Sequence, residues 1–151
     1  MESLTVKSTQ NLELIYQLLC DDVRLELGNK LSFMGVFQDI YVQQLPFQLP
    51  RIAVVNHWRG NGKFLSEVRI LYPGKQQVVA HSTPALFEVP EGGYANNITF
   101  FMNLAFERPG EFIVQTLIDS NLFAERRMIV GVVQQAAHPM PESAADNELL
   151  N

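Results

Sequence analysis

NITFFMNLAF, residues 97–106, is the stretch on which the fold turns. Apolar side chains recur at every second position. Ile98, Phe100, Met102, Leu104 and Phe106 share one side, and Asn97, Thr99, Phe101, Asn103 and Ala105 the other. A period of two marks a strand with one buried face, whereas a helix needs a spacing of three to four. The same alternation recurs on both sides of this stretch. In KFLSEVRILY, residues 63–72, Phe64, Val68, Ile70 and Tyr72 oppose Lys63, Glu67 and Arg69. Residues 111–119 put Phe112, Val114, Thr116 and Ile118 together. Near the start, Leu12, Leu14, Tyr16, Leu18 and Cys20 alternate with Glu13, Gln17 and Asp21. Further strands are expected near 30–37, 52–59, 76–82, 85–89 and 122–132.

Turn chemistry separates these runs. Gly28-Asn29, Gly60-Asn61-Gly62, Pro73-Gly74, Pro90-Glu91-Gly92-Gly93, Pro109-Gly110 and Asp119-Ser120-Asn121 each stand between two of them. Glycine tolerates positive φ, proline presets the first corner of a turn, and Asn or Asp accepts left-handed geometry. Short gaps favour hairpins, and no amphipathic helix separates the strands as parallel crossovers would require. The reading is an all-β fold: an antiparallel, immunoglobulin-like β-sandwich of about eight or nine strands, with a closed barrel as the alternative. The domain is expected over 11–133. Residues 134–151 lose the alternation and gain prolines, small residues and acid, which suggests a disordered acidic tail. Pro46 and Pro50 argue against a central strand in 40–52 and suggest a loop pinned to the sandwich.

The chain has 151 residues, 47% hydrophobic and 18% charged, enough for one domain with its own core. A single cysteine excludes an internal disulfide and leans toward a reducing compartment. No signal-peptide pattern and no long apolar window stand in the sequence, so a cytoplasmic protein without membrane association is expected. The formal net charge is −5 and no cluster of Lys and Arg is present beyond the pair Arg126-Arg127. Nucleic-acid binding normally needs a basic patch, so no nucleic-acid partner is expected.

Few residues suggest chemistry. Cys20 stands beside Asp21 and Asp22, whose charges disfavour a thiolate, and its place in the alternation makes it a core residue at a strand end. Calcium-binding sandwiches gather loop carboxylates, because the ion takes six to eight oxygens. Asp21, Asp22, Asp39 and Asp119 lie near strand ends and are the candidates for such a site, although no run forms a dense acidic loop. His57 and His81 fall on the more polar phase of their strands and read as surface or rim residues. Trp58 shares a phase with Ile52 and Val54 and reads as a core anchor. The chain has no Gly-x-Ser-x-Gly elbow and no phosphate or dinucleotide loop. No cofactor is expected.

One feature points to binding. On the outward phase stand Phe101, Ile113, Leu117, Phe123 and Ile129, with Leu65 and Leu71 on 63–72. If the last three strands meander, the first five cluster on one sheet, and contiguous apolar patches mark interfaces. The competing explanation is that the loop 38–51 or the tail covers this face.

The stretch CDDVRLELGNKLSFMGVF, residues 20–37, resembles the opening of an uncharacterised family of small bacterial proteins. The resemblance rests on Cys20, Asp21, Asp22, Gly28, Lys30, Leu31, Ser32, Gly35, Val36 and Phe37. ERPGEFIVQTLIDSNLFAER, beginning at Glu107, is similar to the family's closing hairpin, with Pro109, Gly110, Glu111 and Phe112 at its first turn. Together these motifs span most of residues 14–132. The resemblance implies a β-sandwich and brings no catalytic residues. The expectation is therefore a non-catalytic cytoplasmic protein-interaction or assembly module, with another protein or a second copy as partner. A calcium- or small-ligand-binding sandwich is the alternative, and a hydrolase of unknown class the third.

Overall fold

The computed structural model describes residues 5–6 and 11–134. Apart from Gln134, the segment read as a disordered tail lies outside the described residues. A two-residue strand, β1 (Thr5–Val6), is followed by nine more: β2 (Leu12–Cys20), β3 (Asp22–Glu26), β4 (Lys30–Met34), β5 (Ile40–Val42), β6 (Phe47–Leu71), β7 (Val78–His81), β8 (Ala85–Phe106), β9 (Gly110–Ile118) and β10 (Asn121–Val132). The all-β reading stands. The number of turns does not, because Gly60-Asn61-Gly62 and Pro90–Gly93 are bends inside β6 and β8 rather than hairpins.

Those two bends lie opposite one another. β6 and β8 pair antiparallel from Phe47–Phe106 to Ser66–Ala85, and the register slips where Asn61 faces Pro90, Glu91 and Gly92. Glycine within a strand commonly marks such a bulge or sharp corner. Gly60 is also needed for space, because a Cβ there would fall 2.8 Å from the Asn11 carbonyl carbon and 3.0 Å from Leu12 Cα. Before the bend β6 pairs with β2, from Ala53–Cys20 to Gly60–Leu12. After it, β6 pairs with β9, from Ser66–Ile118 to Leu71–Ile113. β10 follows β9, and its far edge carries β1 and β5.

Hydrogen bonding therefore runs as one continuous eight-stranded sheet, with β3–β4 as a separate hairpin. An antiparallel immunoglobulin-like sandwich would divide into two sheets. The sheet is also mixed, since β5 runs parallel to β10. No helical crossover is required, because these strands lie far apart in sequence. Pro50, expected to exclude a strand, is accommodated inside β6 where β6 has β8 on one side and β2 has already ended.

The sheet curls back on itself. Phe106 stands opposite the first residue of β6, and Phe112 lies level with the end of β6. A straight 25-residue strand would separate them by about 80 Å at about 3.3 Å per residue. Their rings instead meet edge-to-face at 5.2 Å. The core fills the space between the two halves. One apolar cluster includes Ile52, Val54, Val68, Ile70, Phe106 and Phe112. The other is built on Trp58, which stacks on Phe87 at 5.5 Å and meets Phe123 edge-on at 5.2 Å.

A belt of buried polar side chains divides these clusters. On β2 it is Gln17, on the two halves of β6 Asn56 and Ser66, on β8 Asn97, on β9 Thr116 and on β10 Arg126. Most strand segments pass from one cluster to the other through a single inward polar residue, and β8 through Asn97 and the half-buried Thr99. Gln17 Nε2 donates to Asn56 Oδ1 at 2.7 Å and to Thr116 Oγ1 at 2.9 Å. Ser66 Oγ donates to Asn97 Oδ1 at 2.8 Å, and Arg126 Nη1 to the Gln17 carbonyl at 3.2 Å. Burial pushes the Arg126 pKa down, with the charge of Asp39 acting the other way. A buried network of this kind ties strand register to hydrogen-bond satisfaction, because a slip by one residue would leave polar groups unpaired in an apolar interior.

Candidate functional site

Two local irregularities decide which side chains face outward. In β2 the pairing with β6 shifts between Leu14 and Tyr16, so Ile15 is an extra residue. A one-residue bulge reverses the alternation. Gln17 and Leu19 then point inward with Leu12 and Leu14, while Tyr16, Leu18 and Cys20 face the other side. In β8, Asn103 has φ +54° and lies opposite Pro50. Leu104 and Phe106 point into the core after it, but Asn97 and Phe101 do so before it. Ile98, Phe100 and Met102 therefore face outward.

This corrects the expected apolar face on the last strands. Phe101 is buried in the larger cluster, and Phe123 is buried against Trp58 after a bulge between Leu122 and Ala124. Leu117 is 7% exposed. Of the five, only Ile113 and Ile129 are half-exposed. Strand β9 carries five successive buried residues from Val114 to Ile118, so neither of its faces is open there.

One group of exposed apolar side chains lies on the outer face of β2, the first half of β6 and the second half of β8; others stand apart, Leu65 paired with Leu86 and Tyr41 near Val132 among them. Across these strands run the rows Tyr16–His57–Asn96, Leu18–Val55–Ile98 and Cys20–Ala53–Phe100, and beyond them Arg51 pairs with Met102. The β3–β4 hairpin covers the middle rows, with Val23 and Phe33 on Cys20, Ala53, Val55 and Ile98. To one side, His57 is stacked between Tyr16 and Tyr94, with centroids at 4.8 and 5.3 Å. His57 Nδ1 also lies 2.8 Å from Asn96 Oδ1. To the other side stand Phe100 and Met102, 45% and 56% exposed, with the Arg51 guanidinium over the Phe100 ring at 5.3 Å.

The hairpin itself presents apolar residues. Strand alternation puts Leu25 and Leu31 on the same side as Val23 and Phe33. Only Val23 and Phe33 reach the sheet. Leu25 is 69% exposed, and Leu27 beside the Gly28-Asn29 turn is 95% exposed. Burying a leucine or phenylalanine side chain yields about 1.5–3 kcal/mol, so these groups hold binding free energy that the monomer leaves unused.

The expected ligand residues have structural partners. Asp22 Oδ1 accepts from Arg51 Nη1 at 2.8 Å and from the Val23 amide at 2.9 Å. Asp39 Oδ1 accepts from the Ile129 amide at 2.9 Å, joining the segment before β5 to β10. Asp119 Oδ1 accepts from the Leu65 amide at 3.0 Å. Asp21 packs beside Gly35, where φ is +68° and a Cβ would run into its carboxylate. Among the described residues no group of three or more His, Cys, Asp or Glu side chains converges as a metal site would need. Cys20 is fully buried, under the hairpin rather than in the main core. Burial pushes its thiol pKa up. A backbone hydrogen bond with Asp22 acts downward, and the Asp21 and Asp22 charges add to the rise. His81 is exposed. Trp58 is a core residue, as expected.

Comparison with known proteins places the sequence. Residues 15–131 match DUF6941, a family of unknown function, and the chain belongs to that family. No curated protein matches it. Among solved structures it is similar to the Pseudomonas fluorescens alkylpurine DNA glycosylase AlkC bound to DNA containing an abasic site analog. The TM-score there is 0.52 at 8% identity over 81% of this chain, which spans 31% of that protein. It is also similar to the C-terminal domain of wzt, with a TM-score of 0.51 at 10% identity over 90% of this chain and 81% of that one. At such identities the likeness concerns the fold alone.

Proposed function

We propose that this member of DUF6941 is a non-catalytic cytoplasmic protein-interaction or assembly module. Its working surface is the outer face of β2, β6 and β8 together with the projecting β3–β4 hairpin. The observation that carries this reading is the concentration of exposed apolar groups there. Tyr16, Tyr94, Phe100 and Met102 lie on the face, and Leu25 and Leu27 on the hairpin over it. Apolar and aromatic groups gathered around a few placed polar ones, here Arg51, His57 and Asn96, make the usual centre of a protein–protein contact. The net charge of −5 and the lack of a basic cluster argue against a nucleic-acid partner.

The test compares two charge insertions on folded protein. Leu25→Lys with Leu27→Lys is expected to abolish capture of a protein partner from native lysate, and Ile113→Lys to leave it intact. Equal capture by both variants, or loss only with Ile113→Lys, would contradict this placement of the surface.

A further inference from the structure

We infer that the second half of β8, residues 93–106, is a self-pairing edge: two copies of the chain join antiparallel along it across a two-fold axis. The inference rests on the interaction-module reading above and names its partner as a second copy. Among the described residues, this stretch is hydrogen-bonded to β6 on one side and to no strand on the other. Most other borders of the sheet are occupied or charged, and the outer edge of β2, open beyond one bridge at Leu19, carries Glu13. β1 and β5 line β10, β7 lies along the end of β6, and Phe37 bridges to Leu19 on β2.

The composition of the edge selects the occupant. Open strand edges are normally guarded by lysine, proline or inward charge, because their free amides and carbonyls template further pairing. From Gly92 to Phe106 the chain carries no charged residue and no proline; the edge strands β5 and β7 share this over only three and four residues, and β2, β3, β4, β6, β9 and β10 each carry at least one charge. In a chain of net charge −5, this is where two copies can approach without opposing like charges. An antiparallel edge is self-complementary across a two-fold, since each residue i meets j while j meets i. The outward row Tyr94, Asn96, Ile98, Phe100 and Met102 then continues into its own copy. It joins aromatic, aliphatic and thioether groups across the seam, the pairs that stabilise neighbouring strands. Tyr94, Phe100 and Met102 are 55%, 45% and 56% exposed, and cross-strand contact would cover the flank of each that faces the seam.

The experiment is light scattering after gel filtration on the full chain, with hydrogen exchange at low and high protein concentration. The expected result is a species of twice the 17.1 kDa chain mass, with amides in 93–106 gaining protection as concentration rises. Phe100→Lys with Met102→Lys, at two exposed positions, should return the protein to monomer with an unchanged circular dichroism spectrum. A monomer at every concentration, or a dimer unaffected by these lysines and protected elsewhere, would overturn the inference. Leu25→Lys with Leu27→Lys should leave the dimer intact. That variant separates the two readings: loss of outside partners with the dimer retained concerns the hairpin surface, and loss of the dimer alone concerns the edge.

Discussion

Replacing Gly60 by alanine is the sharpest perturbation of the curled sheet. The new Cβ would meet backbone, 2.8 Å from the Asn11 carbonyl carbon and 3.0 Å from Leu12 Cα, and closer still to the Asn11 carbonyl oxygen. Backbone cannot rotate aside as a flexible side chain can. The Asn11 carbonyl also accepts the Asn61 amide at 2.9 Å, so yielding would strain that bond too. Gly74→Ala is the control, because φ there is +90° and nothing lies within 4 Å of its Cβ. It reports the backbone penalty of alanine at positive φ, about 1–3 kcal/mol. Overpacking adds about 1–3 kcal/mol, and contact with unyielding backbone puts Gly60→Ala near the upper end. Taking that excess as about 3 kcal/mol and a urea m-value as about 1.5–2 kcal/mol/M, the Gly60→Ala midpoint should lie about 1.5–2 M below that of Gly74→Ala. Urea titration followed by the fluorescence of Trp58, two residues away, gives the comparison directly. Equal midpoints would refute the close approach of β2 to the corner of β6, and with it the reason given for the bend.

Other consequences can be checked on the same material. Phe101→Ala and Phe123→Ala should each cost about 3–5 kcal/mol as core truncations, and the exposed Phe100→Ala far less, read from urea midpoints; the reverse order would restore the outward reading of Phe101. Gln17→Ala should destabilise by about 1–3 kcal/mol for each buried partner left unsatisfied, Asn56 and Thr116 among them, and no loss would show that the polar belt is not bonded as described. Cys20 should resist thiol reagents until the chain is unfolded. Its folded pKa lies above the ordinary 9.0, so its contribution is fully present below the unfolded value and is lost as pH rises beyond it; a loss of stability above pH 9 no smaller in Cys20→Ala would contradict this. Burial alone would push the Glu125 carboxyl up, but hydrogen bonds from Lys75 and Gln115, with the Lys75 charge, outweigh it and hold the pKa below the ordinary 4.5. That contribution is present above pH 4.5 and lost as pH falls through the folded value, so Lys75→Met should reduce stability at neutral pH and leave it nearly unchanged in strong acid.

Strand existence was legible in the sequence, because β2, β6, β8, β9 and β10 each contain long runs of period two. Phase was not. The alternation that places Leu104 and Phe106 inward predicts the wrong side for Phe100, since the left-handed Asn103 reverses it and nothing in the local sequence announces that reversal. The extra residue at Ile15 acts in the same way, turning Gln17 inward where the pattern reads outward. Gly60-Asn61-Gly62 and Pro90–Gly93 were legible as breaks, but glycine serves turns and strand corners alike. Only pairing over the whole length of β6 and β8 distinguishes them. The carboxylates near strand ends were correctly located, yet the backbone amides that occupy Asp22, Asp39 and Asp119 depend on chain crossings that no local pattern specifies. The expected apolar face on the last strands fails for the same reason: the alternation assigns Phe101 and Phe123 to the outer side, and both are buried.

Oxidative footprinting of the folded chain over a range of concentrations tests the central claim most directly. In dilute solution Phe100, Met102, Tyr94 and Leu27 should label readily, while Phe101, Phe123 and Met128 stay protected. As concentration rises, Phe100, Met102 and Tyr94 should become protected, and Ile113 and Ile129 should not change. Protection that develops on Ile113 and Ile129 while Phe100 and Met102 remain open would place the binding surface on the opposite half of the molecule and contradict the account.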